Sequence, residues 1–365
     1  MIPVFKPELA GPPDRLLQTL ESSWWGTGPR VAEFEYEFSK YLGTDPSRCL
    51  MLNSCTAALH LALLLWPNCH RVLVPGITFV SSALPVIYAG KQLIFVDVGD
   101  DLCIDQDDAL RKLQSENDVI AVVHMGGQAA DIGKLLGLRR IEDCAHALGT
   151  FAYGDHVGIY APGCFSFQAT KVLPIGDGGM LVLNSVQDRK EAEALAWCGI
   201  SQSTWNRSNG GYQWLYDVQS IGYKYRANDV QAALALDQWA GLGNILERKE
   251  AVAKLYDEAL AGLEWLRLPK ARPGTKPSWQ EYIIRTPLRD GLSHHLAEKG
   301  VATTVHYYPI SQYEPFHRLD EGILCADSLP NCERLWREIL TIPSYASMTD
   351  QEIEQVIDGV RSFQP

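Results

Sequence analysis

The sequence predicts an α/β protein: a large domain with a mostly parallel sheet flanked by helices, then a smaller α+β domain. Two observations carry this. Between Cys49 and about Asn184, short and nearly continuous apolar runs alternate with helical segments, the pattern of parallel strands buried on both faces. At 365 residues the chain is also long for a single core, so a large and a small unit are expected. We place the change near residue 240, giving a large domain over 1–240 and a small one over 241–365.

Taken in order, "CLMLN" reads as a strand and "TAALHLALLLW" as the apolar helix after it. "RVLVPG", "QLIFVDV", "VIAVVHM" and "RRIEDC" are further buried strands separated by helices. "GCFSFQATK" and "GGMLVLN" lie closer together, as adjacent strands joined by a loop. The polar, aromatic stretch "GISQSTWNRSNGGYQWLYD" is a loop by composition, either inert surface or a mobile lid. "NDVQAALALDQW" opens a helix, with Asn228 as N-cap and Gln231 placed to complete a capping box. "NILERKEAVAKLYDEALAGL" is a second helix. Beyond it, "WQEYIIRTP" and "VATTVHYYP" read as strands, and "CERLWREIL" and "QEIEQVIDGVRSF" as helices.

Composition narrows the function. A formal charge of −12 argues against a general nucleic-acid binder, which needs a basic face, yet leaves room for an anionic small molecule. The nine cysteines form no C-x-x-C pair, which predicts free thiols in a reducing compartment and no thiolate metal site. "MIPVFKPELAGPP" lacks the layout of a signal peptide, and the apolar run "ALHLALLLW" is too short to cross a bilayer. The expected location is the cytoplasm, away from membranes. H-E-x-x-H, G-x-S-x-G and G-x-G-x-x-G do not occur. "GQAADIGKLLG" misses the P-loop spacing by one residue and has Leu135 where a hydroxyl should hold magnesium.

Four places remain where polar groups break an apolar pattern. In "NSCTAALHLALLLW" the first helical turn presents free amides beside Ser54, Cys55 and Thr56, either an ordinary cap or a phosphate site. In "IEDCAHALGT" Asp143 ends a buried strand, where a carboxylate needs donors or a cation, and His146 follows three residues later. A cap for the following segment is the alternative for Asp143. In "SFQATKVLPIGDGGM" Lys171 follows Ser166 and precedes a glycine turn; it is either a solvated loop lysine or an amine lowered in pKa for bonding to a carbonyl. In "GYKYRANDVQAAL" Lys224 and Arg226 stand just before a helix N-terminus, as a solvated basic turn or an anion contact. One ligand satisfies all four: a phosphate, a carbonyl and a ring nitrogen that becomes cationic, which together describe pyridoxal 5'-phosphate.

With those residues in place, the chain resembles the DegT/DnrJ/StrS group of sugar aminotransferases, fold type I enzymes that use pyridoxal phosphate. The resemblance runs from "GTGPRVAEFEYEFSKYLG" through "NSCTAALHLAL", "PGITFVSSALPVIYAG", "FVDV", "HMGGQAADIG", "IEDCAHALG", "SFQATKVLPIGDGG" and "GYKYRANDVQAAL" to "VHYYP". It implies that Lys171 bonds covalently to the cofactor's aldehyde and that Asp143 partners the pyridinium nitrogen. It further implies that His146 meets the ring hydroxyl, that Phe79 stacks on the ring, and that Cys55, Thr56 and Ser166 lie at the phosphate. Lys224 matches a residue that reaches the cofactor of a neighbouring subunit, which implies a homodimer with shared sites. His306 and Tyr307 resemble residues near the sugar, with a packed strand end as the competing account. Three departures stand out: Cys55 replaces a usual glycine, Gln168 a frequent histidine, and Lys224 a frequent asparagine. The implied reaction moves an amino group from glutamate or glutamine to a keto group of a nucleotide-linked deoxysugar. A cyclitol ketone is the alternative acceptor, and a non-catalytic regulator the alternative from another class.

Overall fold

The computed structural model describes residues 1–200, 217–320, 322–325 and 328–365. Its centre is an eight-stranded sheet. The strands in chain order are β1 (Cys49–Leu52), β2 (Arg71–Pro75), β3 (Gln92–Val96), β4 (Val119–Val123) and β5 (Arg140–Asp143). The short β6 (Phe151–Ala152) and β7 (Asp155–His156) then precede β8 (Gly163–Ser166) and β9 (Gly179–Val182). Later come β10 (Thr275–Lys276), β11 (Tyr282–Arg285), β12 (Leu324–Cys325) and β13 (Ile339–Ile342). The large sheet has the order β1-β9-β8-β5-β4-β2-β3-β12. Within it β9 alone opposes its neighbours, and the other pairings are parallel. All seven strands expected between Cys49 and Asn184 are present. The order reverses between β2 and β4, and at such a switch point the carboxyl ends of the strands leave a crevice.

The near-continuous apolar runs are explained by burial on both faces. Leu50 and Leu52 pack into one core with the helix Cys55–Leu64, whereas Cys49 and Met51 face a second core on the other side. That second core is aromatic: Phe34, Phe38, Phe165, Phe167 and Trp239 meet edge to face or tilted, at 5.1–5.9 Å between centroids. A third core, around Tyr256, Tyr282, Leu292 and Val356, surrounds the antiparallel pair β11–β13. The capping box of Asn228 and Gln231 starts the helix Asp229–Trp239 as expected, and the helix Leu242–Leu260 follows directly.

Two features differ from the sequence reading. β12 adds to the edge of the large sheet beside β3, through Leu324 opposite Leu93, although it comes from beyond residue 240. "VATTVHYYP" is not a strand. Val301 and Thr304 make single bridges to Ile2 and Thr341, after which His306 and Tyr307 turn towards other partners and Pro309 ends the run. The stretch expected to be a loop at 199–217 lies almost wholly outside the described residues. No helix among the described residues is long and apolar enough to cross a membrane.

Candidate active site

The crevice at the carboxyl ends of the strands gathers most of the residues singled out above. Lys171 sits on the loop that joins β8 to β9. Three backbone bonds close that loop: Phe167 to Gly178 (2.9 Å), Ala169 to Gly176 (2.8 Å) and Ile175 to Phe167 (3.0 Å). Gln168 braces its tip. Its side-chain oxygen accepts from the Thr170 amide at 2.8 Å, and its carbonyl accepts from the Lys171 amide at 2.9 Å. A further brace comes from the third core, where the Gln280 amide donates to the Thr170 carbonyl at 2.9 Å. The Lys171 side chain is only partly exposed. Burial lowers its pKa, against the opposing pull of Glu281, Asp143 and Cys55. It is not a solvated loop lysine.

Asp143 ends β5 and is 4% exposed, so its carboxylate depends on donors. Ser82 supplies one at 2.7 Å and the Ala145 amide another at 3.0 Å, with the Cys55 thiol at 3.9 Å. Burial raises its pKa, and these donors, Lys171 and His124 only partly offset that. It caps the following turn as well as facing the crevice, so both of its readings are realised in one residue. Among the described residues no cation lies within ion-pair distance of it.

His146 is buried, and its Nδ1 accepts from the Gly126 amide at 3.3 Å, which leaves the proton on Nε2. Nε2 lies 3.2 Å from the Tyr307 hydroxyl and 3.5 Å from Glu281 Oε1. Burial holds the His146 pKa well below its ordinary value, with Lys171 and His306 acting in the same direction. His306 is anchored through Nδ1 to Thr341 at 2.8 Å and turns Nε2 towards Glu281 at 3.7 Å. Phe79 is 53% exposed, with its ring 5.7 Å from that of Tyr307. A large aromatic kept out of the core at the mouth of a crevice is free to stack on a flat ligand.

The turn at Ser54–Thr56 is the N-terminus of the helix Cys55–Leu64, with Ser54 as its cap, accepting from the Ala57 amide at 3.1 Å. Cys55 occupies the first helical position without a left-handed backbone, so nothing there requires a glycine. Its thiol points inward, 3.3 Å from the Cys164 carbonyl. The close approach falls at Gly179 instead, where a Cβ would lie 2.4 Å from the Ser54 carbonyl carbon. Thr56 and Ser166 are half-buried on either side of this turn. Lys224 is exposed, and its ammonium rests 3.7 Å above the Trp197 ring. Its carbonyl accepts from Asn53, beside the Ser54 turn, at 3.2 Å.

Two residues of this site escaped the sequence reading. Ser82, three residues beyond Phe79, gives Asp143 its shortest hydrogen bond. Glu281 stands immediately before the apolar strand β11, a polar residue at a strand end as Asp143 is, but it lies remote in sequence from most of the other members. A separate buried group, His124, Glu142 and Cys144, has ligand atoms within 4.8 Å of one another. Its polar atoms already have partners: Ala130 donates to His124, and Arg140 and Gly158 donate to Glu142.

Known proteins are similar to this chain along nearly its whole length. The DegT/DnrJ/EryC1/StrS aminotransferase family matches residues 13–361. The chain belongs to that family. It is 32% identical over 371 residues to the spore coat polysaccharide biosynthesis protein SpsC of Bacillus subtilis, covering 95% of this chain and 92% of that protein. It is 31% identical over 361 residues to the dTDP-4-dehydro-2,3,6-trideoxy-D-glucose 4-aminotransferase of Saccharopolyspora spinosa, covering 94% and 92%. The crystal structure of the sugar aminotransferase CalS13 from Micromonospora echinospora superposes with a TM-score of 0.88 at 26% identity, covering 99% of this chain and 100% of that one. The structural neighbours are sugar aminotransferases of fold type I, and aminotransferases of this family depend on pyridoxal phosphate.

Proposed function

We propose that this protein transfers an amino group from glutamate or glutamine to a keto group of a nucleotide-linked deoxysugar, using pyridoxal phosphate. The observation that carries the reading is the meeting of Asp143 and Lys171 in one crevice: a buried carboxylate with no cation at ion-pair distance among the described residues, and an amine lowered in pKa. The residues fit the cofactor. Asp143 would hold the ring nitrogen, Phe79 would cover the ring face, and His146 would meet the ring hydroxyl. The amides of the helix Cys55–Leu64, with Cys55, Thr56 and Ser166, would hold the phosphate. When bound there, the cofactor supplies a sink for the electron pair left by a broken C–H bond.

The chain's own groups supply the rest. The positive charge of a protonated ring nitrogen would compensate the buried Asp143 carboxylate, which in turn keeps the proton on that nitrogen. Burial favours the neutral amine of Lys171, the form that can take a proton from the substrate carbon and return it elsewhere. Tyr307 and His306 border the same space as substrate contacts. We assign the cofactor to a domain spanning 1–240, with 241–365 as the smaller domain, and the protein to a homodimer in which Lys224 serves the partner's cofactor. The experiment is direct. Protein purified with its cofactor and reduced with borohydride should carry the label on Lys171 by mass spectrometry, and glutamate or glutamine should convert the cofactor to its amine form. Label on another lysine, or no conversion, would overturn the assignment.

A further inference from the structure

Glu281 is 3% exposed, and its Oε2 has no hydrogen-bond partner among the described residues. Its position is fixed. Its own amide donates to the Gly126 carbonyl at 3.2 Å, one residue from the Gly127 position where a Cβ would press on Ser278, Gln280 and His146. The other carboxylate oxygen, Oε1, is held between two imidazoles, at 3.5 Å from His146 and 3.7 Å from His306. Burial lowers the pKa of both imidazoles, so neither is a resident cation for Glu281. Lys249, also buried, gives its ammonium to the carbonyls of Gln280 and Ser344. Lys171, Asp143 and Tyr307 complete the charged and titratable groups around this point.

A buried carboxylate oxygen without a donor is costly, so a donor is expected from the ligand. The cofactor is poorly suited to provide it. Its strong donor is the ring N–H, for which Asp143 is already placed, and its phosphate and ring oxygen are negatively charged groups that a carboxylate repels. We propose that Glu281 is a substrate-binding residue whose open oxygen accepts a hydrogen bond from a hydroxyl or ammonium beside the reacting carbon. This rests on the aminotransferase reading above. It makes Glu281 a determinant of which sugar is accepted, because a site built around a buried acceptor rejects an analogue that lacks the donor.

The test uses cofactor-loaded wild type, Glu281→Gln and Glu281→Leu, with cofactor content and melting temperature measured first. Two probes are titrated by calorimetry without amino donor: a dTDP-linked 4-keto-6-deoxy sugar bearing its 2- and 3-hydroxyls, and its 2,3-dideoxy counterpart. The glutamate half-reaction is followed separately by absorbance. A hydroxyl donor predicts that Glu281→Leu weakens binding of the hydroxylated sugar by about 10- to 100-fold, leaving the dideoxy sugar and the glutamate step within about threefold. An ammonium donor predicts that loss in the glutamate step instead. The proposal falls if both sugars and glutamate stay within about twofold in a loaded variant. It also falls if every loss tracks loss of cofactor, which would make Glu281 structural. Wild type that binds neither sugar would overturn the nucleotide-sugar reading, and the hydroxyl assignment with it. Binding with no effect of either variant would overturn only the role of Glu281.

Discussion

Changing Asp143 to Asn separates the proposed electronic role of this carboxylate from its role in the fold. The Ala145 amide, 3.0 Å away, still has an oxygen to donate to. Ser82, 2.7 Å away, must instead accept from the new amide. It can do so by turning its own hydroxyl to Thr78, whose Oγ1 is 2.9 Å distant. The fold should therefore lose no more than about 1 kcal/mol. The contact to the ring nitrogen changes from charge-assisted to neutral, a difference of roughly 1–2 kcal/mol, or about 5- to 30-fold. Loss of the proton on that nitrogen adds to this, so the glutamate half-reaction should slow by at least about 30-fold. Single-turnover absorbance with glutamate reads the rate, and cofactor content and melting temperature serve as controls. A fully loaded variant that turns over within about threefold of wild type would reduce Asp143 to a cap for Ala145 and refute the reasoning.

Other perturbations address the scaffold. Gly179→Ala should displace the Ser54–Thr56 turn, because the new Cβ would lie 2.4 Å from Ser54 and 2.6 Å from the Cys55 amide; weaker cofactor retention in equilibrium dialysis is the expected result, and unchanged retention the contrary one. Burial depresses the Lys249 pKa from 10.5 to about 8, partly offset by Glu281. The unfolded chain then binds more protons between those values, so stability should rise from about pH 8 to pH 10.5, by at most about 3 kcal/mol. Urea unfolding at pH 7.5 and 9.5 should show a smaller rise in Lys249→Met, and equal rises would exclude Lys249 as the source. Mixed dimers of Lys171→Ala and Lys224→Ala should recover roughly a quarter of wild-type activity if Lys224 crosses the interface, since half of randomly paired dimers hold one intact site. Verified mixed dimers with no recovery would mean that Lys224 serves its own subunit or no site at all.

Much of this was legible because the relevant residues break a simple pattern. β1–β5, β8 and β9 are apolar runs buried on both faces, so a polar residue at a strand end stands out, as Asp143 does. Lys171 could be placed because its loop is local, opened by Ser166 and closed by Gly176, Gly178 and Gly179. The strand expected at "VATTVHYYP" failed for a non-local reason: β-branched residues there make one bridge to Thr341 before His306 and Tyr307 leave the ribbon. The departure at Cys55, where a glycine is usual, is likewise resolved one layer away. The backbone at 55 is helical, and the tight contact belongs to Gly179 on the facing strand. Ser82 and Glu281 reach the site only through tertiary packing, which the spacing of motifs does not report.

Asp143 and Glu281, two buried carboxylates of the crevice, differ in what their surroundings leave open, and that difference supports the two tasks proposed for them. Asp143 has donors on both oxygens, Ser82 on one and Ala145 on the other, so it is rigid and its remaining need is for positive charge. A ring nitrogen that keeps its proton meets that need in every step of a reaction cycle. Glu281 has one oxygen between two neutral imidazoles and the other without a donor among the described residues, so its remaining need is a hydrogen bond that arrives and departs. A resident cofactor suits the first environment and a passing substrate the second. The anchoring follows the same division. Asp143 belongs to the central sheet with the Ser54–Thr56 turn, whereas Glu281 is carried by the segment leading into β11, tied to Gly126 and Gly127 through the amides of Glu281 and Ser278. That segment also braces the Lys171 loop through Gln280 and the His146 carbonyl through Ser278, so the side chain at 281, rather than the segment as a whole, is where the proposed substrate contact can vary.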